Sequence, residues 1–295
     1  MTANRLPRIA ITAGDPSGIG PEIAAAAARD PRVLAISEPL IFGPHTAADL
    51  ARFPRGQISA DSARAAHDAI VAAVEAALAG RVDAIATAPI NKAAFAAAGY
   101  PWRGHTDMLA HLCGVRDVAM MFWSERLRVV LATIHIPLAQ VPGALTVDGL
   151  VLLMQLTARS LPRFGLASAR LAIAGLNPHA GEQGLLGTED RDVLAPAIAR
   201  ARAAGIDASG PFPADTLFVR AAKGEFDAVI AMYHDQGLIP VKLLAFGHSV
   251  NVTLGLPIIR TSVDHGTAFD IAGRGLADPG SLIEAIALAA RLARR

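Results

Sequence analysis

Three histidines follow three apolar runs of the chain. His135 stands just beyond Arg128–Thr133, His179 lies in Asn177-Pro178-His179-Ala180-Gly181 after a run ending at Ala174, and His234 follows Ala228–Met232. A single histidine at a strand end ordinarily serves the structure through hydrogen bonds. Three on separate loops, at equivalent positions, make a donor set for a divalent metal and leave a coordination position for a substrate oxygen. The sequence has no His-Glu-x-x-His segment, so a zinc protease is not expected.

A second set of residues suits an anion: His105 and Thr106 in Gly104-His105-Thr106-Asp107, then Lys242, Asn251 and Arg260. Lys242 and Arg260 flank the apolar stretches Val241–Phe246 and Ile258–Ile259, where an unpaired charge is costly, so each needs a partner. That partner is either an acidic neighbour such as Asp215 or Asp264, or a small, multiply anionic substrate that Arg260 grips as a planar, bidentate donor. Ser17, in Asp15-Pro16-Ser17-Gly18-Ile19-Gly20, lacks the Gly-x-Ser-x-Gly spacing of a hydrolase nucleophile. The same stretch has neither the dinucleotide-binding glycine order nor the Lys-Ser/Thr ending of a phosphate loop. It reads as a tight strand-to-helix turn with an anion pocket at the helix start.

Loops of this kind need an α/β scaffold. Short apolar runs alternate with longer alanine-rich segments that are polar on one side. Predicted strands are Ile9–Thr12, Pro39–Phe42, Ala84–Thr87, Val118–Phe122, Arg128–Thr133, Leu171–Ala174, Ala228–Met232, Asn251–Leu254 and Ile258–Thr261. Predicted helices include Pro21–Ala28, Ser62–Ala79, Thr146–Phe164, Thr188–Ala204 and Ser281–Ala293. The polar, glycine-bearing segments Ala13–Gly20, Ala88–Lys92, His135–Pro137, Asn177–Gly187, Tyr233–Gly237 and Ser262–Gly275 follow predicted strands. Ligands of open α/β sheets bind beyond the carboxyl ends of strands, so these segments are expected to form the rim of an active site.

Composition narrows the function. The 295 residues are 53% hydrophobic, which excludes a disordered tail and allows one large domain or two intimate ones. Lys+Arg number 27 against 26 Asp+Glu, and no basic run is interleaved with aromatics, so nucleic acid is not an expected partner. The one cysteine, Cys113, reads as a small buried thiol in a reducing cytosol. Met1 to Arg8 is polar and lacks the apolar core of a secretory signal. Val129–Val147 carries no Asp, Glu, Lys or Arg, but Pro137, Pro142 and Gly143 break it into a buried strand and a loop. A cytoplasmic chain with no membrane partner is the expectation.

Seven ordered motifs now carry a resemblance that spans nearly the whole chain. They are Ile11-Thr12-Ala13-Gly14-Asp15-Pro16-Ser17-Gly18-Ile19-Gly20-Pro21-Glu22, Thr87-Ala88-Pro89-Ile90-Asn91-Lys92, Gly104-His105-Thr106, Leu176-Asn177-Pro178-His179-Ala180-Gly181-Glu182, Pro213-Ala214-Asp215-Thr216-Leu217-Phe218, Tyr233-His234-Asp235-Gln236-Gly237, and Ile259 through Ala268. Together they resemble the 4-hydroxythreonine-4-phosphate dehydrogenase family of vitamin B6 biosynthesis. The resemblance implies an α/β chain forming a two-lobed α/β/α sandwich of the isocitrate/isopropylmalate dehydrogenase type, a homodimer with its site in the interlobe cleft. The first lobe is expected over 1–137, with 263–295 returning to it. The second, carrying the dimer contact and the metal and substrate site, is expected over 138–262.

By the same resemblance His135, His179 and His234 are the metal ligands, one of them contributed across the dimer interface. His105, Thr106, Lys242, Asn251 and Arg260 correspond to the substrate contacts. His265, Gly266, Thr267, Ala268 and Asp270 resemble an adenosine-binding loop for NAD or NADP, and Gly187 and Glu189 are also assigned to the cofactor. The implied reaction is oxidation of 4-phosphooxy-L-threonine at its secondary hydroxyl, assisted by zinc, cobalt, magnesium or manganese, then decarboxylation. Lys242, Asp215 and Asp235 are the candidates for proton transfer. Alternatives are a dehydrogenase for 4-phospho-threonate or erythronate, one for an aromatic cis-dihydrodiol, and a metal- and nucleotide-binding protein without turnover. Three departures bear on the substrate: the stretch between Phe42 and Ser62 is shorter than in typical members, and Leu185-Leu186 and His248-Ser249 stand where other residues are common.

Overall fold

A computed structural model describes residues 5–294; the first four residues of the polar N-terminal stretch lie outside the described residues. The strands in chain order are β1 (Arg8–Thr12), β2 (Glu38–Phe42), β3 (Ala84–Thr87), β4 (Ala119–Trp123), β5 (Arg128–Leu131), β6 (Leu171–Ala174), β7 (Ala208–Phe212), β8 (Ala228–Ala231), β9 (Val250–Leu254) and β10 (Arg260–Ser262). The longer helices are α1 (Gly20–Ala27), α2 (Ala60–Leu78), α3 (His105–Leu112), α4 (Val147–Ser160), α5 (Ala195–Ala203), α6 (Ala214–Ala222), α7 (His234–Ala245) and α8 (Gly280–Ala293). The chain divides into two compact units, residues 1–118 with 250–295, and residues 119–249.

In the first unit β1 lies between β2 and β3, all parallel; β10 joins β3 in parallel and β9 closes on β10 antiparallel. Of these, β1 and β3 read as nearly unbroken apolar runs because both of their faces are covered. On one face α2 sets Ala63, Ala66, Ile70, Ala73 and Val74 against Ala10 and Ile85, and Met108 and Leu109 of α3 join the same core. On the other, the Thr261 hydroxyl donates to the Ala285 carbonyl of α8 at 2.8 Å. The start of α2 is fixed by Ser59, whose hydroxyl accepts the Ser62 N–H.

In the second unit β4 and β5 are antiparallel, while β5, β8, β6 and β7 follow in parallel. Helices α6 and α7 bury Leu217, Ala221, Leu238 and Val241 on Val129, Leu131, Ala172, Ala174, Val229 and Ala231. In each unit three mutually parallel strands open at their carboxyl ends onto polar segments. Those after β1, β3 and β10 belong to the first unit, and those after β5, β6 and β8 to the second.

The unit boundaries differ from the sequence reading for a reason of pairing. Residues 119–137 belong with the second unit because β4 pairs with β5 and β5 with β8. The chain returns to the first unit at 250 rather than 263 because β9 pairs with β10 and β10 with β3. Strand β7 escaped prediction, since Ala-Ser-Gly-Pro-Phe carries no strand signal and pairs with β6 alone. Segment Tyr233–Gly237, read as a loop, is instead the cap and first turn of α7. Among the described residues no single helix is long and apolar enough to cross a membrane. Cys113 is partly buried against the first core, and burial pushes its thiol up, away from thiolate chemistry.

Candidate active site

The second unit carries the expected metal donors. His234 is the first residue of α7, preceded by an extended Tyr233. That helix can sit close on the sheet because position 237 is glycine: a Cβ there would lie 2.7 Å from Leu131 Cδ2 and 2.8 Å from Val129 Cγ1. The strand ends beneath it are tied together. The Thr133 hydroxyl donates to the Met232 carbonyl at 2.7 Å, Gln236 Oε1 accepts the Met232 N–H at 2.7 Å, and Gln236 Nε2 donates to the Gly175 carbonyl at 2.7 Å. Gln236 thereby joins the start of α7 to the end of β6, a positioning role that its place in a predicted loop concealed.

His135 and His234 come together, with ring centroids 5.8 Å apart. The Asp235 carboxylate lies 2.7 Å from His234 Nδ1, a carboxylate–imidazole contact of the kind that fixes the orientation of a histidine ring. His179 is exposed, in a turn whose backbone is left-handed at φ 53°. Among the described residues no three His, Cys, Asp or Glu side chains of this one chain are grouped closely enough to hold an ion. Of the three expected donors, His135 and His234 are the two whose rings lie side by side.

Other second-unit candidates are laid out along the helices. Lys242 is exposed, eight positions beyond His234 on α7, about 12 Å along the axis at 1.5 Å per residue. Asp215 is exposed in the first turn of α6 and accepts the Thr216 N–H at 2.9 Å. Glu189 accepts from Asn177 Nδ2 at 2.8 Å, and backbone N–H groups with Asn177 hold its carboxyl below the usual range. Gly187, at φ 119°, lies against Asn177 and Glu189; a Cβ there would be 2.5 Å from Asn177 Nδ2.

The first unit holds the anion-binding candidates, and here a sequence alternative falls. Arg260 is 2% exposed and has no carboxylate partner among the described residues. Its Nη1 donates to the Thr253 hydroxyl at 3.0 Å and its Nη2 to the Thr87 hydroxyl at 2.7 Å, while Nε has no partner. The ion pair with Asp215 or Asp264 does not form; two neutral hydroxyls hold the guanidinium instead. Burial pushes its pKa down to about 9, so it stays charged at neutral pH. A buried cation without a counter-ion is costly, and its unpartnered donor makes it a candidate seat for an anion.

Two more orphaned polar atoms belong to this unit. Asn251 Oδ1 is buried and unpartnered, on β9 opposite Ser262 and therefore on the same face of the sheet as Arg260. His105 Nε2 is also buried and unpartnered. Burial first, and the Arg260 charge second, hold the His105 pKa well below the ordinary histidine value, so its ring is neutral at pH 7. His105 and Thr106 open α3, whose N-cap Gly104 gives no side-chain cap, leaving first-turn N–H groups available.

The proposed adenosine loop also lies in this unit. The Ile19 N–H donates to the Thr267 carbonyl at 3.0 Å, and a Cβ on Gly18 would lie 2.8 Å from that oxygen, so the loop rests on the Gly14–Gly20 turn. Ala268 is left-handed at φ 40°, and His265, Gly266 and Asp270 are exposed. Sequence reasoning passed over Asp15. It is fully buried, its Oδ1 accepts the Ser17 N–H at 2.9 Å, its Oδ2 has no partner, and burial pushes its pKa up to about 6. Asp-Pro-Ser-Gly reads as a turn whether or not its carboxylate meets water, so no signal marked the burial.

Comparison with known proteins agrees with the motifs. Residues 21–289 match the family profile of the pyridoxal phosphate biosynthetic protein PdxA. A 4-hydroxythreonine-4-phosphate dehydrogenase of Desulforapulum autotrophicum is 46% identical over 98% of this chain and 96% of its own. A Bradyrhizobium diazoefficiens protein, provisionally named D-threonate 4-phosphate dehydrogenase, is also 46% identical over 99% of this chain and 98% of its own. The crystal structure of the Klebsiella pneumoniae 4-hydroxythreonine-4-phosphate dehydrogenase superposes with a TM-score of 0.89 at 39% identity, covering 100% of both chains. An isocitrate dehydrogenase from Methylococcus capsulatus, at 17% identity and a TM-score of 0.52, shares the fold.

Proposed function

The chain belongs to the PdxA family, and from that membership we propose that it oxidises 4-phosphooxy-L-threonine at its secondary hydroxyl with NAD or NADP, the β-keto acid then losing carbon dioxide to give 3-amino-2-oxopropyl phosphate. The observation that carries this reading is Arg260, a buried guanidinium whose Nε has no partner, in the unit that also holds the unpartnered Asn251 Oδ1 and the His105 ring that feels its charge. Such a donor set suits a phosphorylated acid and offers nothing equivalent to an uncharged diol.

His135 and His234 fit a shared divalent ion by donor type and by spacing, with His179 as the remaining donor. When bound, the ion polarises the substrate hydroxyl, and the nicotinamide is the acceptor of the departing hydride. The chain's own groups do the rest. Arg260, Asn251, His105 and Thr106 seat the anionic substrate, which fixes the direction of its hydroxyl. Asp235 is engaged in orienting His234, so Lys242 and Asp215 remain as the groups that take the hydroxyl proton and return one to the carbon that loses carbon dioxide. His265, Gly266, Thr267, Ala268 and Asp270, with Gly187 and Glu189, are assigned to the nucleotide.

We read the working form as a cytoplasmic homodimer with one histidine donated across the interface. Ile239 and Leu243, 59% and 81% exposed on α7, and Phe246, 77% exposed as the residue that caps its C-terminus, support this, since their spacings suit one apolar stripe. A second substrate reading has a specific support, the equal identity to the provisional D-threonate 4-phosphate dehydrogenase. Comparing kcat/KM for 4-phosphooxy-L-threonine and 4-phospho-D-threonate, by NADH absorbance, separates the two. A preference of at least tenfold for the amino acid is expected; the reverse preference would move the enzyme to the threonate reaction. No turnover on either would favour the binding-protein alternative.

A further inference from the structure

The segment that carries His179 runs against the preference of L-residues. His179, Ala180, Gly181, Glu182 and Gln183 have φ of 53°, 53°, 78°, 42° and 56°, one left-handed turn in which only position 181 is glycine. Consecutive residues hold such a conformation only where their surroundings over-determine it. The surroundings here centre on one carboxylate. Asp190 is 2% exposed; its Oδ1 accepts the Leu176 N–H at 2.8 Å, and its Oδ2 accepts the Asn177 N–H and Asn177 Nδ2, both at 3.0 Å.

The same side chain backs the turn itself. A Cβ on Gly181 would lie 3.3 Å from Asp190 Cβ and Oδ2. A Cβ on Gly175 would lie 2.9 Å from Ala180 Cα and 3.0 Å from Asp190 Oδ1, so both glycines are required where the turn and the carboxylate close on the end of β6. Asp190 opens a π-helical turn, Asp190–Leu194, with its carbonyl accepting the Ala195 N–H. Wide turns of this kind recur at functional sites.

We propose that Asp190 is a positioning residue whose buried carboxylate holds the left-handed turn 179–183 and so sets the direction of the His179 imidazole. This rests on the reading of His179 as a metal ligand. Both Asp190 oxygens are spent on N–H groups of Leu176 and Asn177, so its role runs through the turn and not through contact with the ion.

The test uses full-length Asp190→Asn, Ala180→Gly and the double variant, with amide hydrogen exchange of 175–187 in metal-free protein and Co²⁺ affinity by chelator competition. In Asp190→Asn an amide faces donors that the carboxylate accepted, so protection should fall in 176–184 alone and Co²⁺ affinity should drop about ten- to hundredfold. Glycine at 180 removes a Cβ that the left-handed backbone disfavours, so the double variant should regain about tenfold in affinity and part of the protection. Unchanged exchange in Asp190→Asn, or no recovery in the double variant, would overturn the proposal. Asn177→Ala removes one of the three bonds and is the milder variant should Asp190→Asn not fold. It should show the same pattern at smaller size, and a wild-type pattern there would count equally against the latch. Failure of the metal reading looks different: wild type and His179→Ala would bind Co²⁺ equally poorly, while the exchange data still decide what Asp190 does.

Discussion

Inside the first unit Arg260 keeps its charge at neutral pH with two hydroxyls as its hydrogen-bond acceptors, so an added anion should stabilise the fold by pairing with the guanidinium, whose Nε has no partner. Inorganic phosphate in tenfold excess over its Kd should raise Tm by about 2 °C or more. Arg260→Leu should abolish that rise, and an equal rise in both proteins would contradict the assignment. Asp15 gives a second, independent check. Its folded pKa of about 6 exceeds the ordinary 3.8, so the folded state binds the proton more tightly and this residue's contribution makes stability fall as pH rises from about 4 to about 6. Asp15→Asn keeps the bond to Ser17 and removes the charge. It should therefore be more stable than wild type at pH 7.5 by up to about 3 kcal/mol and nearly equal to it at pH 3.5; urea midpoints at the two pH values test this, and equal gaps at both would refute it. Sequence marked Arg260 as a charge in apolar surroundings but left its partner open between a carboxylate and a ligand. Only the packing showed that the nearest groups are hydroxyls.

Helix α7 carries a metal candidate, its orienting carboxylate, a proton-transfer candidate and an apolar stripe. It was hidden in the sequence because Gly237 and Pro240 interrupt the helical pattern. The glycine is needed for close approach to Leu131 and Val129, and the proline lies inside the helix. The strands β1, β3, β6 and β8 were legible because they are buried on both faces and read as uninterrupted apolar runs. Strand β7 was not, because its Ser-Gly-Pro centre is tolerated only where one neighbour suffices. If the stripe of Ile239, Leu243 and Phe246 is the dimer contact, Leu243→Glu buries a charge on association. It should shift the protein to monomer in sedimentation velocity and cost at least tenfold in turnover with the fold intact. A dimer of undiminished affinity would place the contact elsewhere.

At the scale of the whole chain, the alternation of strands and helices predicted the α/β class, and the ordered motifs predicted the family that the comparisons bear out. The division into units was less legible, because pairing partners such as β9 with β10 are set by tertiary contacts that local pattern does not encode. The first unit carries the proposed anion seat and nucleotide loop, and the second carries the histidine donors and the proton-transfer candidates. The most direct measurement of that chemistry is NADH formation from 4-phosphooxy-L-threonine by enzyme stripped with a chelator, its metal content verified by elemental analysis, before and after a divalent ion is restored. Activity should vanish on stripping and return with zinc, cobalt, manganese or magnesium in wild type, but not in His234→Ala. Full activity in the verified metal-free enzyme would contradict a metal-assisted oxidation.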